Sequence, residues 1–228
     1  MSEDLKQEID NYISNLLVPE TTNILLEKFE PYDEEKSDYY KNMQGVYAFF
    51  LKEEQNFSNL CFSNNDKIKN KIKKLNEKLK MTNEKLIKNK NLIYIGKTCN
   101  DNSFEGRVIN GHIKGGKTSL AGKIFHYLTA ENSTSYGDKN SDKNMKQNVC
   151  VQDNYRMLIK DNVNSYQDLV VAWFNKFTEV KFLPLYNKTE MQDNELKNSD
   201  IVISLIEEVL IEVYNPALNK DSKKSKMK

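Results

Sequence analysis

The chain has 228 residues, of which 38% are hydrophobic and 29% charged, and its formal net charge is +1. This length allows one domain with a substantial core, and the composition is that of a folded protein. Three cysteines without a CxxC pair and only two histidines argue against a zinc cluster or a disulfide framework. The acidic N-terminus and the lack of a long apolar run argue against a signal peptide and a membrane span, so we expect a cytoplasmic protein without membrane contact.

The small net charge conceals two oppositely charged blocks. Residues 1–36 hold ten acidic residues against three lysines, whereas residues 66–90 hold ten lysines against three acidic residues. Separated blocks of this kind indicate that partners are bound by local patches and not by the whole surface.

Residues 1–44 predict an N-terminal helical extension. Apolar residues at three- and four-residue steps from Leu5 to Leu16 are typical of an amphipathic helix. A second short helix is predicted at 22–29, and a loop at 31–41.

The next segment predicts a strand followed by a long basic insertion. GVYAFFL at 45–51 is β-branched and aromatic, as buried strands are. The insertion at about 64–90 predicts one long helix with a lysine-rich outside and a narrow apolar seam that Thr82 interrupts. This seam needs cover, either from the protein itself, with the acidic N-terminal helices as one candidate, or from a second subunit of a homodimer.

The rest of the chain completes an α+β (mixed α/β) fold. The predicted elements are a strand at 92–98, helices at 103–113 and from Ser119, a polar loop at 130–148, a strand at 177–185 stopped by Pro184, an apolar helix at 200–214 and a basic disordered tail at 220–228. We therefore predict a small three-stranded antiparallel sheet flanked by helices, with the helical insertion between its first two strands and the core spanning 45–219.

Four motifs in this core resemble the GIY-YIG nuclease family. They are GVYAFF on the first strand, LIYIGKT on the second, FEGRVINGH on the following helix and EEVLIEVYNPALN on the last helix. Three matching residues recur by chance, but four motifs in the family's order on the expected elements are specific. The resemblance implies a metal-dependent endonuclease that hydrolyses DNA phosphodiester bonds with Mg²⁺ or Mn²⁺. The N-terminal extension and the insertion have no counterpart in the minimal family domain.

The resemblance also assigns site residues. Tyr47 and Tyr94 would flank the scissile phosphate, one of them helping to deprotonate the attacking water, and Arg107 would neutralise charge on the phosphoryl oxygens. The register of the last helix against Pro216 makes Glu207 the metal ligand. Further assignments are Lys97 as an assisting cation, Gly45 and Gly96 as structural glycines, and Asn219 as the family's structural asparagine.

The chemistry of phosphodiester hydrolysis fits these residue types. A carboxylate-held Mg²⁺ stabilises developing negative charge, and the planar fork of an arginine suits a phosphate. A phenol is a poor base at neutral pH unless neighbouring cations lower its pKa, and Lys97 and Arg107 are such cations. Strand alternation places Tyr94 on the same face as Gly96 and opposite Lys97, so the tyrosine can leave the apolar side.

Each assignment has a structural alternative. Taken alone, Tyr47 and Tyr94 would be core or cross-strand aromatic residues. Glu207 would lie at the solvated edge of the last helix, and only the register of that helix distinguishes it from Glu208. Asn219 would be a turn residue after the proline. His112 follows Arg107 by five residues, where the family often has a histidine after four. On an α-helix the extra residue turns His112 about 100° further round. Either the helix is distorted near Gly111, or His112 is a phosphate-contacting or merely structural residue.

Lysines are the candidates for DNA contact. Lys69, Lys73 and Lys80 on the insertion and Lys114 and Lys117 after the next helix would add affinity that is independent of sequence and sensitive to salt. The alternative is an ordinary solvated face. His126 is expected in packing or at the surface.

Among the subtypes we favour a type II restriction endonuclease, because the chain carries accessory segments before and inside its core. This implies a double-stranded DNA site and a companion DNA methyltransferase acting on the same site. The alternatives are a repair or mobile-element nuclease, and a non-catalytic DNA-binding or regulatory module on the same fold. The sequence identifies neither the recognition site nor which tyrosine is the general base.

Overall fold

A computed structural model describes most of the predicted core. The described residues are 19–52, 55–61, 66–88, 90–99, 102–113, 120–121, 124, 166–190 and 193–219. The first predicted helix, most of the helix from Ser119, the loop at 130–148 and the tail at 220–228 lie outside them. Lys114, Lys117 and His126 lie outside them as well.

The predicted α+β class is confirmed. The α-helices are α1 (Pro19–Glu27), α2 (Ser37–Asn42), α3 (Asp66–Lys85), α4 (Tyr166–Phe177) and α5 (Asp193–Tyr214), and a π-helix covers Glu105–Ile113. The strands are β1 (Glu30–Pro31), β2 (Met43–Leu51), β3 (Leu92–Thr98) and β4 (Thr178–Asn187), and short 3₁₀ turns occupy Glu34–Lys36 and Lys188–Glu190. None of the helices in the described part of the chain is long and apolar enough to cross a membrane.

The sheet has four strands where three were predicted. Its order is β1-β4-β2-β3, and the pairs β1-β4 and β2-β3 are antiparallel. The additional strand β1 begins one residue before the predicted loop at 31–41, and its two residues are too few to show a period. Helix α2 begins inside the same predicted loop. The prediction that Pro184 ends a strand is also wrong, because β4 continues to Asn187. The described pairing of β1 involves Lys181 and Phe182, so it does not require an N–H from residue 184.

Strand β2 is buried along its whole length, which explains why its sequence is apolar without alternation. One face of β2 and β3 supplies Val46, Ala48 and Ile95 to the main core cluster. Helix α5 covers this face and contributes Ile203 and Leu210. The opposite face carries Tyr47 and Phe49, which pack with other aromatic rings.

The chain forms two compact units. The first unit consists of the described residues within Met1–Phe50, Lys78–Phe104 and Val180–Lys228, and it holds the sheet, α1, α2 and α5. The second unit consists of those within Leu51–Glu77 and Glu105–Glu179, where the π-helix packs against α4. Trp173 of α4 is fully buried and lies 5.9 Å from Phe177, ring centre to ring centre.

The apolar seam of the basic helix α3 is covered by the protein itself. Ile68, Ile72, Leu79 and Leu86 are each 3% exposed. Thr82, the apparent interruption, is equally buried, and its hydroxyl lies 3.0 Å from the carbonyl of Lys78 and 3.1 Å from that of Tyr214. Leu75 of the seam is half-buried, so the protein itself covers most of the seam, and the homodimer stays a prediction.

Candidate active site

The two motif tyrosines lie on one face of two paired strands. Tyr47 on β2 is directly opposite Gly96 on β3, and Phe49 is directly opposite Tyr94. Residues directly opposite each other in an antiparallel pair share a face. The ring centres of Tyr47 and Tyr94 are 6.2 Å apart, and the rings are tilted by 33°. The sequence motifs therefore meet as neighbours across one strand pair.

Gly96 is required by the ring of Tyr47. A Cβ placed on Gly96 would lie 2.5 Å from Cζ and 2.9 Å from Cε2 of Tyr47, and would clash with its hydroxyl oxygen. Contacts this short do not occur between side chains, so any larger residue would displace the ring. The glycine of the YIG motif thus makes the space that Tyr47 occupies.

Gly45 has a related role on the other side of β2. A Cβ there would clash with the carbonyl oxygen of Leu183 and lie 3.2 Å from the backbone nitrogen of Leu185. The Gly45 N–H also donates to the hydroxyl of Thr98 at 2.9 Å. The glycine therefore permits the close approach of β2 to β4.

The tyrosines differ in their access to solvent. Tyr47 is 1% exposed and packs against Phe49 and Phe104, at 5.7 and 6.4 Å between ring centres. Tyr94 is half-buried. Sequence reasoning missed this aromatic cluster, which continues from Phe104 to Tyr40 at 5.1 Å and Phe182 at 4.2 Å. The available signal is the pair Tyr39 and Tyr40, which lies within the predicted loop at 31–41 and which the structure has on α2.

The opposite face of β3 carries an ion pair with α5. Lys97 is out of phase with Tyr94 and Gly96, so its side chain points to the face that α5 covers. Its ammonium lies 3.0 Å from Oε2 of Glu207, with the two side chains 29% and 16% exposed. It also donates to the hydroxyl of Ser204 at 2.9 Å, and that hydroxyl donates to the carbonyl of Asp200 at 2.6 Å.

This ion pair distinguishes Glu207 from Glu208. Glu207 faces β3 and is largely buried, whereas Glu208 is exposed. Adjacent helical residues lie about 100° apart, so only one of them can face the strand. The structure brings the carboxylate of Glu207 to the residue that follows Gly96.

Asn219 holds the outer edge of β3. Its side-chain nitrogen donates to the carbonyl of Ile95 at 2.8 Å, and the Ile95 N–H donates to its side-chain oxygen at 2.9 Å. The Leu218 N–H donates to the carbonyl of Ile93 at 2.8 Å. The chain reaches this position through a turn at Asn215, whose φ is 46°, a value that asparagine tolerates better than most residues. Asn219 thus acts like a neighbouring strand for the residue that precedes Gly96.

Arg107 and His112 belong to the second unit and are described there by themselves. Arg107 is exposed and His112 half-buried. Because the backbone hydrogen bonds of a π-helix join residues five apart, a residue five positions on lies one turn along. His112 therefore follows Arg107 by one π-helical turn, and the helix does depart from α-helical form at Gly111.

The lysines of the basic helix fall into two groups. Lys69, Lys73 and Lys80 are exposed. Lys78 and Lys85 instead donate to the carbonyls of Asn219 at 3.1 Å and Val213 at 2.6 Å. The second group has a structural use that the sequence did not indicate.

The described residues around Glu207 offer few protein ligands for a metal ion. Among the residues that the structure describes, no group of three His, Cys, Asp or Glu side chains could hold a metal ion. Mg²⁺ commonly uses one or two carboxylates and takes its remaining oxygens from water and substrate phosphates. Glu207 is one carboxylate of this kind, and its oxygen Oε2 lies 3.0 Å from the ammonium of Lys97.

Comparison with known proteins gives no relative. No protein-family model matches the chain. No curated protein matches it, and no solved structure matches its fold.

Proposed function

We propose that this protein is a metal-dependent endonuclease that hydrolyses DNA phosphodiester bonds, as its resemblance to the GIY-YIG family implies. One observation carries the proposal. The ring of Tyr47 lies over Gly96 and beside Tyr94, and Lys97, the residue after Gly96, pairs with Glu207. These contacts support the proposal because they bring three of the four motifs together within one unit of the chain.

The proposed chemistry divides among the residues of the first unit. Glu207 would hold Mg²⁺ or Mn²⁺, which when bound neutralises charge on the phosphate and stabilises the leaving oxygen. Tyr94, the more accessible tyrosine, would release its own proton to solvent and then, as a phenolate, accept a proton from the attacking water, and Tyr47 would hold its ring in place. The tyrosines and Glu207 lie on opposite faces of β3, whose outer edge is bonded at Ile93 and Ile95 by Leu218 and Asn219.

The roles proposed for Arg107 and His112 rest on the resemblance of the sequence to the GIY-YIG family. Arg107 would donate two hydrogen bonds to the phosphoryl oxygens, which suits a guanidinium better than an ammonium. His112 would contact a phosphate or its leaving group. The exposure of Arg107 is compatible with a DNA contact.

The finer proposal is a cytoplasmic type II restriction enzyme acting on double-stranded DNA, with a companion methyltransferase. Its support is the accessory material inside and before the core. The exposed lysines Lys69, Lys73 and Lys80 would contact the DNA backbone, and recognition of bases would fall to other segments.

The test is incubation of purified protein with plasmid and genomic DNA in Mg²⁺ or Mn²⁺, beside Glu207→Ala and the matched control Glu208→Ala. We expect discrete fragments from the wild type and from Glu208→Ala, and none from Glu207→Ala. Smearing or nicking that depends on Glu207 would retain the nuclease and remove the restriction assignment. Cleavage that persists in Glu207→Ala would contradict the proposed metal site.

A second candidate is a non-catalytic DNA-binding module. The observation in its favour is the same ion pair, because a carboxylate already neutralised by Lys97 can be purely structural. DNA binding without cleavage across several metals and substrates would favour this candidate.

A further inference from the structure

One partner of the Glu207 carboxylate is the ammonium of Lys97, the residue that follows the YIG motif. Nζ of Lys97 lies 3.0 Å from Oε2 of Glu207. A divalent cation bound to a carboxylate oxygen lies about 2.0–2.1 Å from it. Two cations this close to one oxygen repel each other strongly in a partly buried site. Metal ion and ammonium therefore compete for Glu207.

The ammonium is held firmly enough to compete. Its second partner is the hydroxyl of Ser204, three residues before Glu207 on α5. That hydroxyl is itself fixed by its bond to the carbonyl of Asp200. The side chain of Glu207 is only 16% exposed, so water screens the pair less than it screens a surface ion pair. An entering metal ion disturbs the two contacts of Lys97, and among the described residues no group of three His, Cys, Asp or Glu side chains is present to compensate.

A DNA phosphate changes this competition. It is a strong acceptor for an ammonium, and it also supplies oxygens to the metal ion. We propose that Lys97 suppresses metal binding at Glu207 in the free protein and that a DNA phosphate relieves the suppression by attracting the ammonium. Metal ion and DNA then bind with positive coupling, and by linkage each raises the affinity for the other by the same factor. This inference rests on the proposed function, because it assumes that Glu207 is the metal ligand.

The experiment measures Mn²⁺ affinity by electron paramagnetic resonance, with and without a duplex carrying phosphorothioate linkages that resist cleavage. Lys97→Gln removes the charge and keeps a hydrogen-bond donor, and Lys97→Met is a second neutral variant in case the first folds poorly. We expect both to bind Mn²⁺ about tenfold more tightly than the wild type without DNA. DNA should raise the Mn²⁺ affinity of the wild type by a similar factor and that of the neutral variants by much less.

Two matched controls separate charge from other effects. Lys97→Arg keeps a cation beside Glu207 and should retain the weak Mn²⁺ binding of the wild type. Lys36→Met removes an exposed lysine that pairs with Asp33 and should change nothing. Thermal unfolding of each variant without metal establishes that the fold is intact.

Failure of this inference can be distinguished from failure of the proposed function. If Glu207→Gln abolishes Mn²⁺ binding and cleavage while folded neutral variants at position 97 bind Mn²⁺ no more tightly than the wild type, the inference is wrong and the nuclease stands. If Glu207→Gln leaves Mn²⁺ binding unchanged, the metal site itself is wrong, and the inference is overturned with it.

Discussion

At the residue scale, Gly96 connects the packing of the sheet to the candidate site. Its missing side chain admits the ring of Tyr47, and its neighbours Ile95 and Lys97 are held by Asn219 and Glu207. Three contacts from distant parts of the sequence thus fix three consecutive residues of β3. The YIG motif is explained by packing as well as by any catalytic use of its tyrosine.

Gly96→Ala should damage both packing and site. The added methyl would overlap the ring of Tyr47, which has no room to move because it is fully buried. We expect a loss of about 1–3 kcal/mol in the free energy of unfolding, measured in urea, and a change in the near-ultraviolet circular dichroism of the tyrosines.

Gly111→Ala is the matched control for this substitution. A Cβ there would lie 3.3 Å from the carbonyl oxygen of Gly106, which a small shift relieves. If the two variants lost equal stability, the Tyr47 overlap would not be the cause.

At the element scale, the C-terminal half of α3 serves to close the end of α5. Lys78, Thr82 and Lys85 all reach carbonyl groups at or just beyond the last turn of α5. Helix C-termini leave carbonyls without partners and favour cations nearby. A helix that looks like an insertion in the sequence is therefore part of the support of the last helix.

Substituting two pairs of α3 lysines by methionine, one pair at a time, should separate an effect on stability from an effect on DNA binding. The double substitution of Lys78 and Lys85 by Met should lower the free energy of unfolding by about 1–2 kcal/mol, because each cation at a helix C-terminus contributes roughly 0.3–1 kcal/mol and a carbonyl loses its donor. Methionine has a helix propensity close to that of lysine, so the helix itself is not weakened.

Substituting the exposed Lys69 and Lys73 by methionine is the control, because it also removes two positive charges. It should leave stability within about 0.5 kcal/mol. If both lysines contact phosphates, it should reduce the slope of log affinity against log salt by about 2. A normal salt slope in this variant would remove these two lysines from the DNA interface.

The π-helix also belongs to this scale. Its buried residues Val108, Ile109 and Ile113 are separated by four- and five-residue steps, as a wider helical turn requires. Deleting Gly111 would restore a four-residue step from Val108 to Ile113 and from Arg107 to His112. We expect an α-helix that is more stable by about 1 kcal/mol, since an interior glycine is lost.

Activity of the deletion variant tests the role of His112. If His112 acts from a position one turn beyond Arg107, cleavage should persist in the deletion variant and fall in His112→Ala. Loss of cleavage in a folded deletion variant would contradict a one-turn relation between the two side chains.

Elements that depend on local pattern were predictable, and those that depend on contacts were not. The apolar run at 92–98 predicted β3 with the bounds that the structure has. A strand that packs on both faces has a nearly continuous apolar sequence, which is easy to recognise. The two-residue β1 left no such signal, since its pairing with Lys181 is set by packing. For the π-helix, the five-residue spacing of Arg107 and His112 indicated a distortion as one alternative but did not fix the hydrogen-bond register. Thr82 seemed to interrupt a seam because its acceptor lies 132 positions away in the sequence.

At the scale of the whole molecule, the first unit gathers three distant parts of the chain. Tyr47, Tyr94 and Glu207 come from one part each. Their order in the sequence allowed them to be predicted as a set, and the register of α5 selected the glutamate that faces β3. The place of Arg107 relative to them stays a prediction, because nothing in its local sequence encodes that distance. The N-terminal helix α1 is tied to this unit by Asn23, which binds the backbone of Lys85 and Ile87.

The free energy of unfolding of this unit should fall at alkaline pH, because buried tyrosines ionise there. The hydroxyl of Tyr214 on α5 donates to the hydroxyl of Thr22 on α1 at 2.9 Å, and burial raises the pKa of Tyr214 above its ordinary value of 10.0. Burial likewise raises the pKa of Tyr40. A raised pKa in the folded state means that the neutral phenol is favoured there. The stabilisation is therefore complete below pH 10 and is lost as the pH rises through the folded-state pKa.

Urea unfolding between pH 7 and pH 11 measures this dependence, with Tyr214→Phe as the comparison. The variant should be less stable at neutral pH by about 0.5–1.5 kcal/mol, because the bond to Thr22 is lost. Above pH 10 its free energy of unfolding should fall less steeply than that of the wild type, because one buried group no longer titrates. Parallel curves for the two proteins would show that Tyr214 ionises equally easily when folded and unfolded, and the contact between α1 and α5 would then not control the alkaline transition.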